Sequence, residues 1–501
     1  MTQSAKGKRS LVLITVDCLR ADHCGFCGYS RLTTPFLDSL ASESFVVPQA
    51  IVAGAPTYYS FPAILASRMP LALGRDVIGV APGESTLATV LCESGYATGA
   101  FCAGNPYISP RFGYDQGFDV FRDFLDFEAQ TTENTVSPET PPGASARGKL
   151  NRAIRSFAGG LGLSGLYNEL YFQYCMKMAP AVHSIDALRR FPAADILVDH
   201  ALSWLASVGQ RPFFLWLHLM DPHAPYYPPN EAFRELTGRD IEPGRARYLN
   251  EYWKRWDLTP SGFRGKRGEV IDLYDAGIRS VDRQMARLVQ SLRHAHLWDD
   301  CVVAFTADHG EEFLDHGGRY HSPVRLTEEI VRVPLLIRVP GEQGVKVPAS
   351  PMSHLHLAPT LLEIMGVPAP SAFQGRSLWM QRGIAWDDPA VVPAIGPAII
   401  ECAYGCTNPF REENRSAPRL LGIRDARFKL VMRVEPGAAE EVYDLEADPA
   451  ELHPGGTEPA LEARKRLLQA AHEHLKRTVS GRDPVMVLRA RLRDLRYEIL
   501  G

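Results

Sequence analysis

The sequence lacks the features that mark a membrane-spanning, disulfide-rich or nucleic-acid-binding protein. Its uninterrupted apolar runs are too short to cross a bilayer. A net charge of −4 at pH 7 gives no global attraction to nucleic acids. Nine cysteines, an odd number without framework spacing, are typical of a reducing cytoplasm. The apolar run after the basic N-terminus is too short for a signal peptide, so we expect a cytoplasmic protein without a transmembrane segment.

The chain nevertheless has enough apolar residues for a large core. Of its 501 residues, 45% are hydrophobic and 22% are charged, which is ordinary for a globular protein. Apolar runs of strand length and segments of helical periodicity predict an α/β fold. We expect one large domain over residues 1–391 and a smaller C-terminal α+β subdomain over residues 392–501. Stretches of polar, proline-rich or aromatic composition predict insertions at about 128–190 and 228–267.

Three predicted strands lead to carboxylate or imidazole side chains. Each strand is a continuous apolar run, as in the buried strands of parallel sheets. The strands are Leu11–Val16, Phe213–Leu217 and Cys301–Phe305, and they lead to Asp17, to His218, Asp221 and His223, and to Asp308 and His309. In open α/β sheets ligands bind beyond the carboxyl ends of the strands, and Asp with His offers oxygen and nitrogen ligands to a divalent cation. The alternative is that each Asp only caps a helix.

Thr57 lies where a loop is predicted to enter a helix, in the segment from Gly54 to Arg68. A helix N-terminus favours an anion through its free N–H groups and its dipole. A hydroxyl at that place becomes a nucleophile when a divalent metal lowers its pKa. The local sequence by itself favours the simpler interpretation, in which Thr57 or Ser60 only caps the helix.

Several motifs occur in an order that is typical of one protein family. They are Val16–His23, Thr34–Asp38, Ser60–Arg68, Asp221–Tyr226, Thr306–Glu312, His316–Gly317, Glu328–Pro334, Leu357–Leu362, Phe428–Leu430, Tyr443–Leu445 and Asp448–Pro449. On these residues the chain resembles the sulfatase-like branch of the alkaline phosphatase superfamily, from residue 11 to about 450. The resemblance implies an α/β sandwich with a large, mostly parallel central sheet flanked by helices, followed by the smaller C-terminal subdomain.

The resemblance also implies a metal centre and a nucleophile. Four residues would surround one divalent cation: Asp17, Thr57, Asp308 and His309. Thr57 stands where family members carry their nucleophile. His218 and His223 lie where substrate-facing histidines are expected, and one of them would protonate the leaving group.

Four further residues are implied to serve the substrate: Asn105, Asp221, His316 and His321. Asn105 would contact the substrate oxyanion. The other three are open between substrate binding, support of the ligands and a second metal site. Because a full second ligand set is not obvious, we favour the first two.

The chain departs from formylglycine-dependent sulfatases at the nucleophile. Those enzymes carry Cys or Ser within Cys/Ser-x-Pro-x-Arg, whereas this chain has Thr57-Tyr58-Tyr59-Ser60-Phe61. Threonine is not converted to formylglycine, and the Pro and Arg are absent. The lysine expected next to Gly104-Asn105 is missing as well, so two cationic contacts to sulfate are lost.

The metal ligands depart from the family pattern too. Cys18 stands for the second Asp of the usual pair, and His309 stands for the usual Asn. Imidazole in place of an oxygen ligand shifts the preference from Ca²⁺ towards Mn²⁺ or Zn²⁺, with Ca²⁺ and Mg²⁺ as alternatives. These changes resemble the relatives in which a Thr attacks phosphorus directly.

We therefore expect a metal-dependent hydrolase of phosphate or phosphonate mono- or diesters that acts on a small anionic ester. The alternatives are a transferase of a phosphoryl-containing headgroup, a sulfuric ester hydrolase and a catalytically silent binding protein of this fold. Retention of Asp17, Asp308 and His309 argues against the silent protein. No nucleic-acid partner is expected, and homo-oligomerisation stays open.

Overall fold

The computed structural model describes residues 8–75, 77–127, 154–158, 160, 162–342, 350–379, 396–455 and 458–480. Its strands are β1 Ser10–Val16, β2 Phe45–Val46, β3 Ala50–Ile51, β4 Ala97–Cys102, β5 Val120–Arg122, β6 Phe213–Leu219, β7 Cys301–Ala307, β8 Glu312–Phe313, β9 Arg319–Tyr320, β10 Arg332–Val333, β11 Leu335–Arg338, β12 Met352–Ser353, β13 Ala398–Ala403, β14 Arg419–Arg424, β15 Phe428–Arg433 and β16 Glu440–Asp444. Its α-helices are α1 Pro35–Ala41, α2 Thr57–Ala66, α3 Leu87–Glu93, α4 Ser164–Met178, α5 Ala194–Val208, α6 Asn230–Thr237, α7 Pro243–Lys254, α8 Pro260–His294, α9 Glu328–Val331, α10 Leu357–Ile364, α11 Glu412–Arg415 and α12 Glu458–Ser480.

A seven-stranded, mostly parallel sheet forms the core, in the order β2-β11-β7-β1-β6-β4-β5. The four central strands β7, β1, β6 and β4 pair in parallel. Their apolar residues are buried, as expected for strands that are covered on both faces. Helices flank this sheet, and the predicted α/β class with a large, mostly parallel sheet is confirmed.

The register of the central strands brings two aspartates side by side. Val16, the last residue of β1, is the partner of Ala307, the last residue of β7. The next residue on each strand is therefore the carboxylate, Asp17 on one and Asp308 on the other. Because parallel strands end at the same edge of the sheet, both side chains are delivered to one place.

A four-stranded antiparallel sheet, in the order β13-β14-β15-β16, forms the C-terminal part of the described chain. Its inner face packs on α12 through an apolar cluster that includes Leu421, Leu430, Val442 and Leu467. This confirms a smaller C-terminal α+β element after the main sheet. The predicted boundary at 391/392 lies within residues 380–395, which are outside the described residues.

The chain divides into two compact units. The first contains residues 1–125, 192–220 and 281–501, and the second contains residues 126–191 and 221–280. The predicted insertions at 128–190 and 228–267 fall in the second unit, although residues 128–153 are not among those described. None of the helices in the described ranges combines the length and the apolar composition needed to span a bilayer.

Candidate active site

Two buried carboxylates, Asp17 and Asp308, form the base of the site at the ends of β1 and β7. Asp308 Oδ1 accepts hydrogen bonds from the backbone N–H of His309 at 2.9 Å and of Cys18 at 3.3 Å. Its Oδ2 is buried and has no hydrogen-bond partner among the described residues. Burial and the neighbouring charge of Asp17 raise the pKa of Asp308 well above its ordinary value. Two buried carboxylates this close together are costly unless a cation compensates their charge.

Thr57 is the first residue of α2, as the sequence predicted. Its Oγ1 lies 3.1 Å from His309 Nε2 and 3.5 Å from Asp17 Oδ2. The positive end of the helix dipole therefore lies near His309 and Asp17, which follow β7 and β1. Thr57 contacts other side chains of the site, and the structure shows no side-chain capping bond at this helix N-terminus.

The tautomer of His309 follows from its contacts. Nδ1 lies 2.9 Å from the carbonyl oxygen of Gly310, which only accepts, so Nδ1 carries the proton. The lone pair of Nε2 then faces Thr57 and the two aspartates. Burial, and next the neighbouring His321, lower the pKa of His309 to about 4, so the ring is neutral at pH 7. A neutral ring held by a backbone carbonyl is the arrangement that metal-bound histidines adopt.

These residues fit a divalent cation. One donor atom each from Asp17, Asp308 and His309 lies within 4.8 Å of the others, and all three residues are buried. Two carboxylates and one imidazole suit a borderline cation such as Zn²⁺ or Mn²⁺. Asp308 Oδ2, for which the described residues offer no hydrogen bond, is the atom that such an ion would satisfy.

A second set of bonds orients Asp17. Asn105 donates from Nδ2 to Asp17 Oδ2 at 2.8 Å, while its Oδ1 accepts from the backbone N–H of Tyr107 at 3.0 Å. His218 Nε2 lies 3.4 Å from the same Oδ2, and its Nδ1 lies 3.0 Å from Thr15 Oγ1. The fully buried His218 is therefore held through Nδ1 by Thr15, while Nε2 lies beside Asp17 without a hydrogen-bond partner among the described residues.

Cys18 and His321 lie on the other side of Asp17. Cys18 Sγ is 3.2 Å from Asp17 Oδ1 and 3.3 Å from His321 Nδ1. The Glu311 carboxylate lies 3.4 Å from that nitrogen, and the rings of His309 and His321 are tilted by 41° with centroids 4.6 Å apart. Sequence reasoning treated Cys18 only as a departure from the family and did not place it in a cluster.

The loop after Asp308 is held in place by backbone contacts. The N–H groups of Gly310 and Glu311 donate to the carbonyls of Ile330 at 2.8 Å and Glu329 at 3.1 Å. A Cβ at Gly310 would collide with the carbonyl oxygen of Glu329, so only glycine fits there. Arg20 adds a bond from Nη1 to the carbonyl of Glu311 at 3.1 Å.

His316 forms a clamp between this loop and the C-terminal region. Its Nδ1 lies 2.7 Å from Glu329 Oε1, and its Nε2 lies 2.9 Å from the carbonyl oxygen of Ala450. Both partners only accept, so both ring nitrogens donate and the ring is charged. The bond to Glu329 raises the pKa of His316 to about 9. These contacts favour a structural role over substrate binding.

Asp221 and His223 belong to the second unit. Asp221 Oδ1 accepts from Ser280 Oγ at 3.0 Å. His223 Nδ1 donates to the carbonyl oxygen of Ala224 at 2.6 Å, and its ring meets Phe191 edge-on at 5.4 Å. The predicted roles of Asp221 and His223 stay predictions.

Comparison with known proteins decides the family. The model of the Sulfatase family matches residues 9–367. The chain belongs to the sulfatase family. The resemblance read from the sequence motifs is therefore confirmed.

The relatives of this sulfatase-family chain are distant. Arylsulfatase K of Canis lupus familiaris is 24% identical over 280 residues, which is 51% of this chain and 50% of that protein. Choline-sulfatase of Rhizobium meliloti is 26% identical over 262 residues, or 49% of this chain and 46% of that protein. The chain thus spans about half the length of the curated relatives it matches.

Solved structures share the whole fold. The phosphonate monoester hydrolase of Agrobacterium radiobacter superposes with a TM-score of 0.65 at 19% identity, covering 95% of this chain and 96% of that one. At this identity the likeness shows the fold alone. It confirms the predicted sulfatase-like architecture of the sheet and the C-terminal region.

Proposed function

We propose that this chain is a metal-dependent hydrolase of phosphate or phosphonate esters with Thr57 as its nucleophile. The observation that carries the proposal is the position of the Thr57 hydroxyl. It is buried at the first turn of α2, 3.1 Å from His309 Nε2 and 3.5 Å from Asp17 Oδ2. At this place the hydroxyl lies beside the proposed metal ligands, and the helix dipole favours the alkoxide.

Asp17, Asp308 and His309 are the residues that would hold the cation, with Thr57 Oγ1 beside them. A divalent cation held there would compensate the two buried carboxylates, lower the pKa of the threonine hydroxyl and polarise the substrate. Mn²⁺ and Zn²⁺ suit these ligands better than Ca²⁺ or Mg²⁺, because one ligand is an imidazole.

The reaction we propose has two steps. Thr57 Oγ1 forms a bond to phosphorus as the bond between phosphorus and the leaving oxygen breaks. The leaving oxygen takes up a proton, for which His223 and His218 remain the donors predicted from sequence. Water then attacks phosphorus, the bond from Thr57 to phosphorus breaks and the free hydroxyl is restored.

The choice of phosphorus over sulfur rests on the chain's own residues. Threonine at position 57 is not a precursor of formylglycine, and a simple alcohol nucleophile is the arrangement of the phosphorus-directed relatives. A sulfuric ester hydrolase is the second candidate, because the family and its curated relatives are named as sulfatases.

A screen of metals against substrates tests the proposal. Protein freed of metal is reloaded with Zn²⁺, Mn²⁺, Ca²⁺ or Mg²⁺ and offered an aryl phosphate, a phosphodiester, a phosphonate ester and an aryl sulfate. We expect hydrolysis of a phosphorus ester with Mn²⁺ or Zn²⁺. A clear preference for the sulfate would favour the second candidate.

Two variants complete this test. Thr57→Ala should lower turnover at least about a thousandfold while the protein keeps its metal, since removal of a nucleophile costs that much or more in related mechanisms. The matched control is Thr86→Ala, because Thr86 also lies at a helix N-terminus but only caps α3. Turnover by Thr57→Ala within tenfold of wild type would contradict the mechanism.

A further inference from the structure

Cys18 occupies an unusual place for a cysteine in this site. It is fully buried directly after β1 and has a φ of 62°, in the left-handed region that side chains other than glycine and asparagine seldom adopt. Backbone of this kind persists where the surrounding structure over-determines it, and it is often found at functional sites. The conformation brings Sγ to 3.2 Å from Asp17 Oδ1.

Sulfur, nitrogen and oxygen donors converge around this thiol. Cys18 Sγ, one ring nitrogen of His309 and one of His321 lie within 4.8 Å of one another. Cys18 Sγ and His321 Nδ1 are 3.3 Å apart. A tetrahedral Zn²⁺ with bonds of about 2.3 Å to sulfur and about 2.0 Å to nitrogen holds those two atoms about 3.5 Å apart. The spacing therefore fits two neighbouring ligands of one such ion.

His309 shows that this group is not a separate second site. Its Nδ1 donates to Gly310, so only Nε2 has a lone pair to offer a metal. The same residue belongs to the group of Asp17, Asp308 and His309. One lone pair binds one ion, so an ion held by His309 can take its other ligands from either group.

We propose that Cys18 is a thiolate ligand of this metal centre and that His321 lies beside it as a further nitrogen donor, so that the resident ion is Zn²⁺. The inference rests on the metal site of the proposed function and deepens it by fixing the class of ion. Thiolate is a soft ligand that selects Zn²⁺ over Mn²⁺, Ca²⁺ and Mg²⁺. Asp308 Oδ2 is buried and has no hydrogen-bond partner among the described residues. It would supply a hard oxygen ligand to the same ion.

The simpler interpretation is a thiol that only donates a hydrogen bond to Asp17. It makes a different prediction, because a thiol that stays protonated does not change the spectrum of a bound metal. Cobalt distinguishes the two, since Co²⁺ replaces Zn²⁺ and gives a sulfur-to-metal charge-transfer band in the near ultraviolet when a thiolate is bound. Its visible bands report binding by the other ligands.

The experiment is a titration of full-length, metal-free protein with Co²⁺, followed by absorption spectroscopy. We expect one Co²⁺ per chain, with the near-ultraviolet band in wild type and its loss in Cys18→Ser while visible bands persist. Zn²⁺ affinity of Cys18→Ser should fall by more than about 100-fold, the upper end of what loss of a partner outside the ligand set costs. The matched control is Cys301→Ser, another fully buried thiol but at the opposite end of β7, and it should keep the band.

A second variant guards against misfolding of the first. His321→Gln should keep the charge-transfer band, change the visible bands and weaken Zn²⁺ binding. Visible cobalt bands in wild type without the near-ultraviolet band, or a band that survives in Cys18→Ser, would overturn the inference and leave the Thr57 mechanism standing. Wild-type protein that binds neither Co²⁺ nor Zn²⁺ would overturn both.

Discussion

Replacing Lys429 should show how strongly the C-terminal sheet is tied to the segment next to the site. Lys429 on β15 is completely buried, and its Nζ lies 2.5 Å from Glu451 and 3.1 Å from Glu328. Glu328 also faces Arg424 at 3.4 Å. Glu328 begins α9, whose next residue accepts the N–H of Glu311, so this charge cluster supports the loop that follows Asp308.

The magnitude follows from the burial of the cluster. Lys429→Met keeps the volume but leaves the buried Glu451 and the partly buried Glu328 with one remaining cation. Breaking a buried ion pair by removing one partner costs about 3–5 kcal/mol. We therefore expect the free energy of unfolding at pH 7 to fall by about 3–5 kcal/mol. This is a large part of the about 5–15 kcal/mol by which a typical domain is stable. Urea denaturation of wild type and variant measures it.

The pH dependence gives the sign of the effect. Burial alone would raise the pKa of Glu328, but Lys429 and Arg424 outweigh burial and lower it. A lowered pKa stabilises the folded state above the ordinary pKa of glutamate, and this stabilisation is lost as the pH falls through the lowered value. Burial raises the pKa of Glu451 in spite of its contact with Lys429. In the variant both carboxylates protonate more readily, so the difference from wild type should shrink towards pH 5.

The control is Arg464→Met. Arg464 pairs with Glu440 at 2.6 Å in the same subdomain, but both side chains reach solvent. An exposed pair contributes about 0–1 kcal/mol, so this variant should stay close to wild type. A loss below about 1 kcal/mol in Lys429→Met, or equal losses in the two variants, would refute the reasoning.

Three further predictions concern residues around the site. Glu329 raises the pKa of His316 to about 9, so the charged ring stabilises the folded state fully below the ordinary pKa of histidine, and this stabilisation is lost as the pH rises through 9. The urea midpoints of wild type and His316→Gln should therefore converge between pH 7 and pH 10. Parallel curves would contradict this. Thr15→Val removes the acceptor of Trp216 Nε1 and should cost about 1–3 kcal/mol of unfolding free energy in a urea titration, whereas an unchanged value would show that the bond is dispensable. Asn105→Ala removes the donor to the Asp17 carboxylate and should lower turnover or Zn²⁺ affinity by about 10–100-fold, and unchanged values of both would exclude this positioning role.

The core strands could be predicted from the sequence, because strands that are buried on both faces consist of continuous apolar residues. Leu11–Val16 was predicted as a strand and Ser10–Val16 is observed. The apolar run in Val333–Arg338 predicts one strand, which is wrong in detail, since the structure divides it at Pro334. Arg332–Val333 pairs with β3 and Leu335–Arg338 pairs with β7. Proline has no N–H to donate, so the chain changes partners there.

Apolar residues at helical spacing predict a helix over Glu269–His294, and in the structure this helix begins at Pro260 instead. Residues 260–268 carry three glycines and almost no apolar periodicity, so local propensity argued against them. Periodicity therefore identified the helix but not its beginning.

For the site, sequence order predicted the elements but not the distances between side chains. Asp17, Thr57, Asp308 and His309 were named together, and the structure brings them into one buried group. The contact of Cys18 with His321 was missed, because 303 residues separate them and no local pattern links a lone cysteine to a distant histidine. The contact of His218 with Thr15 likewise depends on the pairing of β1 with β6.

The most direct test of the central claim is rapid-quench mass spectrometry of the metal-loaded enzyme with a phosphorus ester. Samples are stopped in acid through the first turnover and digested, and the peptide that contains Thr57 is analysed. The account predicts a phosphoryl or phosphonyl group on Thr57 before the steady state is reached. The same group on another residue, or product release with Thr57 unmodified at every time point, would contradict it.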